Sequence, residues 1–369
     1  MALMAVLRDS SRSMASMFCF CTKKRMRRRV AKTPTMITSR IVKPFLVFMV
    51  YIIAYLCYYG CMDIELTAFY ARLGALALIM VLGFLLGKWK MISTETNREL
   101  TNLLLTVFMP ASLFVAFPAE YDESMLNLFF SGLVGGVLVM LMLILVSKLI
   151  FNKWWFKGGL RYESQFALIF NNATFLGYPI VVNTFGPSGV IAYCGFIIAF
   201  NVALFSYGIW LFEHKVSAKL LKSVVTNPNI LAVFAGMVLF LAEIRLPDFV
   251  MDAVGYVGNA TTPLSIICIG FMLSRAEFGA LVKKWRLVVT AAVQLILGPL
   301  LTWVILTVLK FPAEVVQVCT LIQALPTATS LGLFATKYGG NNIESSELVT
   351  VSTILSVVTM PVMIMLLLG

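Results

Sequence analysis

Long apolar segments separated by short polar connections fill the chain from residue 67 to its end. A helix that crosses ~30 Å of hydrocarbon needs about 20 mostly apolar residues. Segments of this kind lie at residues 67–86, 97–117, 125–150, 164–183, 188–212, 229–244, 249–273, 287–309, 313–336 and 348–368. The pattern therefore predicts an all-α polytopic membrane protein with ten transmembrane helices.

Basic residues alternate between the connections and predict the orientation of these spans. Lys and Arg follow the first, third, fifth and seventh segments in groups and the ninth as Lys337 alone, whereas the intervening connections are short and neutral or acidic. Short cytoplasmic loops carry the excess of Lys and Arg. Both ends of the ten-span core are therefore expected outside the cytoplasm.

The N-terminal stretch differs from the core. Residues 1–43 carry +10 of the net charge of +12, partly through K-K-R-M-R-R-R at Lys23–Arg29. Such a run can attract nucleic acid or anionic lipid, but ahead of the apolar stretch 45–59 it more simply retains its end in the cytoplasm. Two alternatives remain open for residues 1–61: they contain an extra transmembrane segment, or they precede a true start at Met62.

Composition and residue types argue against an enzyme. Hydrophobic residues make up 60% of the chain and charged residues 12%, whereas an average soluble domain is roughly 45–50% apolar. The single histidine, His214, lies at the end of the fifth segment, and the spans contain almost no acids. The seven cysteines show no metal-ligand spacing. No catalytic residue, metal or cofactor is predicted, and no nucleic-acid partner.

Two apolar segments are interrupted by helix-breaking and small polar residues. They read N-N-A-T-F-L-G-Y-P at Asn171–Pro179 and A-L-P-T-A-T-S-L-G at Ala324–Gly332. Proline removes a backbone donor, so Pro179 and Pro326 are each expected to leave unpaired carbonyls within a span. Irregular backbone at membrane depth is tolerated where it lines protein or a cavity, so a pair of broken spans indicates a transporter's substrate site.

Candidate substrate-binding residues follow from these two breaks. Free N–H groups where a helix restarts attract anions, and neighbouring amides and hydroxyls supply further partners. The predicted site comprises Asn171, Asn172, Thr174, Gly177, Pro179, Gln323, Pro326, Thr327, Thr329 and Ser330. The alternative is that the prolines only kink helices for packing, with the polar side chains bonded to neighbouring backbone.

An offset of 153 residues relates the two halves of the core. It superposes Met109–Phe117 on Thr262–Gly270, the first break on the second, and Phe185-Gly186 on Tyr338-Gly339. Five spans per half is an odd number, so the halves are predicted to be inverted. The predicted organisation is a first repeat at residues 62–213, a short cytoplasmic loop at 214–228 and a second repeat at 229–369.

Further polar and helix-breaking residues could line a substrate or ion pathway. Helix–helix hydrogen bonding is the simpler role for each polar residue alone. The candidates are Pro110, Ser112, Asn201, Asn259, Thr262 and Pro263, with Gln294 as a further polar residue within a span.

The two breaks also carry a family resemblance. N-N-A-T-F-L-G-Y-P followed by F-G resembles the N-x-G-(F/Y)-L-G-(I/Y)-P…F-G signature of the auxin efflux carrier family, and A-L-P-T-A-T-S…Y-G resembles its partner in the second half. The likeness covers Met62 to Gly369. It implies two inverted five-helix repeats in which broken helices 4 and 9 cross between a scaffold and a transport domain, with an anionic substrate at the crossing.

Residue by residue, the resemblance places the first crossover asparagine at Asn171 or Asn172. Ala173 stands where a glycine is usual, and the second crossover offers Thr327 and Thr329 instead of an asparagine. The short central loop is similar to that of the compact prokaryotic branch, whose substrates are more often small organic acids such as malate or malonate than auxin itself.

The resulting expectation is a permease for a mono- or dicarboxylate in a prokaryotic inner membrane. It would work by alternating access, driven by an ion or by membrane potential. Its partners would be the substrate and lipid, with a homodimer through the scaffold helices as an open option. An ion-coupled symporter of another inverted-repeat family and a non-transporting receptor are the alternatives.

Overall fold

The computed structural model describes residues 64–117, 122–152, 160–214, 226–275 and 284–368. In the first half the helices are α1 (Ile64–Lys88), α2 (Thr94–Leu103), α3 (Met109–Phe114), α4 (Glu123–Ile150), α5 (Leu160–Ile169), α6 (Tyr178–Ala203) and α7 (Ile209–Glu213). In the second half they are α8 (Pro228–Leu241), α9 (Asp248–Asn259), α10 (Thr261–Ser274), α11 (Trp285–Val308), α12 (Ala313–Gln323), α13 (Ser330–Tyr338) and α14 (Asn342–Leu368).

The all-helical membrane class is confirmed. Each of the ten apolar segments coincides with one or more of these helices. Within the described ranges, five stretches are long and apolar enough to cross a bilayer: Glu123–Ile150, Ala173–Glu213, Asp248–Ser274, Trp285–Val308 and Ile343–Leu367. The predicted N-terminal extension, residues 1–61, lies outside the described residues, as do residues 215–225 of the predicted central loop.

Three π-helical turns lie in the described part of the first half: π1 (Leu104–Phe108), π2 (Ala173–Gly177) and π3 (Leu204–Gly208). The first two end just before Pro110 and Pro179, which occupy the first turn of α3 and α6. A proline lacks an N–H and its ring crowds the carbonyl of the preceding turn, so a wider π turn ahead of it accommodates the ring. The two prolines therefore mark where α-helical geometry resumes after a π turn.

The predicted connection between the fourth and fifth segments is a kink within α6. Gly186 has φ 66° and ψ −153°, which is non-helical, and Pro187 follows it. In the second half, Gly339 ends α13 with φ 90°. Both glycines adopt left-handed backbone that other residues enter at a cost.

Close backbone approach at glycines holds several helix pairs together. A Cβ built at Gly83 of α1 would lie 2.3 Å from the Ile267 carbonyl oxygen, and one at Gly270 of α10 would lie 2.1 Å from that of Met80. A Cβ at Gly132 of α4 would lie 2.2 Å from the Ala192 carbonyl oxygen of α6. Small residues permit such contacts, which drive helix association in lipid.

The helices pack mainly in two groups. In one, α1 packs on α10, while α8 and α9 pack on α3. In the other, α4 packs on α6, α11 packs on α12 and α14, and α12 also packs on α6. Helices α5 and α12 are buried along most of their length. These two short helices lead directly into the two predicted breaks, which places the breaks in the interior.

Candidate functional site

The two interrupted segments meet in the interior. Asn171 and Thr327 form an isolated antiparallel β-bridge. The N–H of Asn172 donates to the Pro326 carbonyl oxygen at 2.7 Å, and the N–H of Ala328 donates to that of Phe170 at 3.0 Å. Backbone groups that each helix leaves unpaired are thus satisfied by the other broken segment. The two breaks form one crossing.

The first break lies at residues 170–172, ahead of Pro179. Helix α5 ends at Ile169, and the side-chain oxygen of Asn172 caps the next turn by accepting the Phe175 N–H at 3.3 Å. Pro179 lies within the helical stretch that begins at Ala173, so the break precedes the proline. Its carbonyl oxygen accepts a bond from the Asn183 amide at 2.7 Å.

Pro326, in contrast, lies within the second break. Helix α12 ends at Gln323, and α13 begins at Ser330 after Thr329 as N-cap residue. Two helical stretches therefore start at the crossing, one at Ala173 and one at Ser330. Helix N-termini carry partial positive charge and free N–H groups. Both starts direct that charge toward the same place.

Buried amides join the two breaks. The Asn171 Nδ2 group donates to Gln323 Oε1 at 2.6 Å. Two atoms of this pair, Asn171 Oδ1 and Gln323 Nε2, have no hydrogen-bond partner among the described residues. Exchanging O and N in both amides would again leave one donor and one acceptor free. Buried polar atoms are nearly always paired, so this free donor and acceptor mark a place for a polar ligand or water.

Two further helices support Thr327. Its hydroxyl donates to Gln294 Oε1 on α11 at 2.7 Å, and its N–H donates to the Ser352 hydroxyl on α14 at 3.1 Å. Gln294 also donates through Nε2 to the Leu325 carbonyl oxygen at 3.1 Å. Buried Thr320, one turn before Gln323, has a hydroxyl without a partner in the described part of the chain. The second break is therefore held from two sides.

Accessibility divides the predicted residues into a buried set and a half-buried set, which we call the rim. Asn171, Asn172, Gln323, Pro326 and Thr327 are buried, whereas Thr174, Thr329 and Ser330 are half-buried. Gly177 is also buried, and a Cβ there would approach the Leu325 side chain at 3.2 Å. The rim hydroxyls are thus the polar groups at the crossing that a solute would reach first.

The predicted pathway residues fall in two places. The Ser112 hydroxyl donates to the Gly258 carbonyl oxygen at 2.6 Å and lies 2.8 Å from the Thr261 hydroxyl, joining α3 to the α9–α10 junction. That junction adjoins the crossing, because α10 packs on π2. Of the other pathway residues, Asn259 and Pro263 are exposed, and Thr262 and Pro110 are half-buried. The Asn201 side-chain amide donates to the Ile197 carbonyl oxygen within its own helix.

Sequence reasoning missed Ser352 and Thr320 at the crossing. Hydroxyl residues occur throughout the apolar segments, so no local signal separates these two from the rest. In the described ranges, no group of three His, Cys, Asp or Glu residues is arranged to hold a metal ion. The chemistry available at the crossing is therefore that of amides, hydroxyls and helix N-termini, which suits recognition of a polar or anionic solute.

Comparisons with known proteins agree with a transport role. The sequence model of the family described as membrane transport protein matches residues 69–220 and 212–364. The chain is 24% identical to an "Uncharacterized transporter" of Methanothermobacter thermautotrophicus, covering 77% of this chain and 93% of that protein. It is 23% identical to "Uncharacterized transporter YfdV" of Escherichia coli K12, covering 81% and 98%. A "Putative malonate transporter" of Rhizobium meliloti is 25% identical over 139 residues, 37% of this chain and 43% of that protein.

Proposed function

This chain belongs to the membrane transport protein family, that is, the auxin efflux carrier family, and on that premise we propose that it carries a small mono- or dicarboxylate. The name of the Rhizobium meliloti relative supports malonate as the first substrate to test. The proposed setting is the cytoplasmic membrane of a prokaryote, where the ten segments form two inverted repeats that work by alternating access.

One observation carries the proposal: two broken helices cross where a buried amide pair leaves a free donor and a free acceptor. A carboxylate at this place would accept from Gln323 Nε2 and from the rim hydroxyls of Thr174, Thr329 and Ser330. Hydrogen bonds to a charged group contribute about 1.5–3 kcal/mol each. Two helix N-termini would add about 0.3–1 kcal/mol each. An anion would thus be held without a buried Lys or Arg.

The repeat proposal is supported by backbone conformation. The 153-residue offset pairs Gly186 with Gly339, and these are the two glycines with positive φ in the described residues, at 66° and 90°. The antiparallel sense of the Asn171–Thr327 bridge fits two segments related by an axis in the membrane plane. The group of α4 to α7 with α11 to α14 contains the crossing, and we assign it as the moving group. The group of α1 to α3 with α8 to α10 is the scaffold.

The test is uptake of labelled malonate by proteoliposomes containing the full chain. Asn171→Asp keeps the side-chain shape, removes the donor to Gln323 and adds negative charge, so we expect the KM for malonate to rise at least about tenfold, or ~1.4 kcal/mol. Thr327→Val removes the hydroxyl bonded to Gln294 without changing volume, and we expect a smaller loss. Asn227→Asp is the matched control, because Asn227 is the N-cap of α8 and Asp caps equally well.

The possible outcomes test the carrier function and the location of the binding site separately. Equal malonate flux in Asn171→Asp and Asn227→Asp would reject the crossing as the binding site and leave the carrier assignment intact. Saturable malonate binding without flux in the wild type would favour a receptor. Neither flux nor binding of malonate in the wild type would refute this substrate.

A further inference from the structure

A carboxyl group is buried on the helix that leads into the first break. Glu163 lies on α5 and is 1% exposed, and among the residues whose side-chain burial the structure describes it is the only buried Asp, Glu, Lys or Arg. It precedes the predicted fourth span, on the side where the basic connections lie. It lies six positions before Ile169, the last residue of α5, which corresponds to about 9 Å along the helix. This acid therefore belongs to the proposed moving group but not to the substrate site.

Its two carboxyl oxygens are treated differently. Glu163 Oε1 accepts the backbone N–H of Asn341 at 2.9 Å. Glu163 Oε2 is buried and has no hydrogen-bond partner in the described part of the chain. Asn341 directly follows the Gly339-Gly340 turn that ends α13, and its side chain caps α14 by accepting from Ile343 and Glu344. Glu163 thus connects the helix before the first break to the turn after the second.

No cation offsets this carboxyl in the described residues. Arg161 donates to the Phe151 carbonyl oxygen, and Lys284 pairs with Glu347. Repulsion from Glu344 raises the energy of the ionised form. The charged and titratable groups on α5, on the helices packed against it and directly beside those helices are Glu123, Lys148, Arg161, Tyr162, Tyr207, Glu213, His214, Lys284, Arg286, Lys337, Tyr338, Glu344 and Glu347.

This environment favours the protonated form. Burial raises the pKa of the Glu163 carboxyl above its usual 4.5, and the Asn341 N–H offsets only part of that effect. In an ionised carboxylate, Oε2 would carry negative charge with neither solvent nor a hydrogen-bond donor beside it, which is unfavourable. A group that moves with the crossing therefore moves at lower cost when Glu163 holds a proton.

We propose that Glu163 is a proton-binding site that takes up and releases one proton in each transport cycle, so that a pH difference across the membrane helps to drive the substrate. This inference rests on the proposed carrier function and supplies its coupling ion. The ligand is the proton itself, bound at Oε2. The bond from Asn341 to Oε1 keeps the carboxyl oriented in either state.

The test separates driven accumulation from exchange in proteoliposomes made with the full chain. Wild type is expected to accumulate labelled malonate when a pH difference is imposed, and to exchange internal for external malonate at equal pH. Glu163→Gln cannot release a proton, so accumulation should fall at least about tenfold while exchange persists. The matched control is Glu213→Gln, an exposed acid at the end of α7, which should behave as wild type.

Two results overturn the proposal: full pH-driven accumulation in Glu163→Gln, or parallel loss of accumulation and exchange in a folded variant, as expected for a merely structural contact. Should Glu163→Gln not fold, Glu163→Asp takes its place. That variant keeps an ionisable group, so a shifted pH profile of accumulation supports the proposal and an unshifted profile opposes it.

A measurement without substrate distinguishes failure of this inference from failure of the carrier proposal. Because the folded-state pKa is raised above 4.5, stabilisation by the protonated carboxyl is full below that pH and is lost as the pH rises through the folded-state pKa. The melting temperature of the wild type should therefore fall with rising pH relative to that of Glu163→Gln. Identical pH dependence of both proteins would exclude the proton site, even if malonate proves not to be transported.

Discussion

Contact between α1 and α10 depends on a glycine, and replacing it tests the packing of the scaffold. A Cβ at Gly270 would lie 2.1 Å from the Met80 carbonyl oxygen and 2.8 Å from the Phe84 nitrogen. An ordinary carbon–oxygen contact is about 3.3 Å. In Gly270→Ala the two helices must therefore separate by about 1 Å, because the atoms in the way are backbone and cannot rotate aside.

The size of the effect follows from a matched comparison with Gly255→Ala. Gly255 lies in α9, and a Cβ there meets nothing within 4 Å. Both substitutions gain the same helix propensity, about 1 kcal/mol, so this gain cancels in the comparison. Overpacking costs typically about 1–3 kcal/mol. Gly270→Ala should thus be less stable than Gly255→Ala by that amount.

Reversible unfolding of the purified protein in detergent measures this difference directly. Gly255→Ala is expected to match or exceed the wild type in free energy of unfolding, while Gly270→Ala falls below it. Equal stability of the two variants would refute the close backbone contact between α1 and α10. It would leave the crossing itself untouched, because neither glycine belongs to it.

Two further predictions concern stability. Thr327→Val and Gln294→Leu each leave one buried partner unsatisfied, which should lower the free energy of unfolding by about 1–3 kcal/mol. The double variant should lose less than the sum of the two by about 0.5–3 kcal/mol. Additive changes in the free energy of unfolding would contradict the 2.7 Å bond between the two side chains. Gly339→Ala should cost about 1–2 kcal/mol, because φ is 90° there while a Cβ meets nothing within 4 Å; a wild-type melting temperature would contradict that backbone strain.

The helices were largely predictable from sequence, because apolar segments of membrane length leave little choice of secondary structure. The connections were less so. The predicted turn between the fourth and fifth segments is only a kink at Gly186. The first break could be found from its polar residues but not placed exactly. Its position at residues 170–172 depends on pairing with Pro326 and Ala328, more than 150 residues away.

The candidate site was predictable only where polarity stood out in apolar surroundings. Asn171, Gln323 and Thr327 were identified in this way, and the structure brings them together. Ser352 joins them from another helix, which no local pattern reveals. Glu163 was overlooked because it lies at the end of a span beside Arg161, where an acid is ordinarily solvated. Only the fold shows that Asn341 covers it.

The bridge between Asn171 and Thr327 has a consequence for how this architecture can diverge. Its hydrogen bonds join main-chain atoms of residues 170, 172, 326 and 328, and every amino acid except proline retains the donating N–H. Side chains at the crossing can therefore be replaced during evolution without loss of the main-chain hydrogen bonds that join the two segments. Relatives with different solute preferences can share one geometry, and a new specificity requires new side chains but no new scaffold.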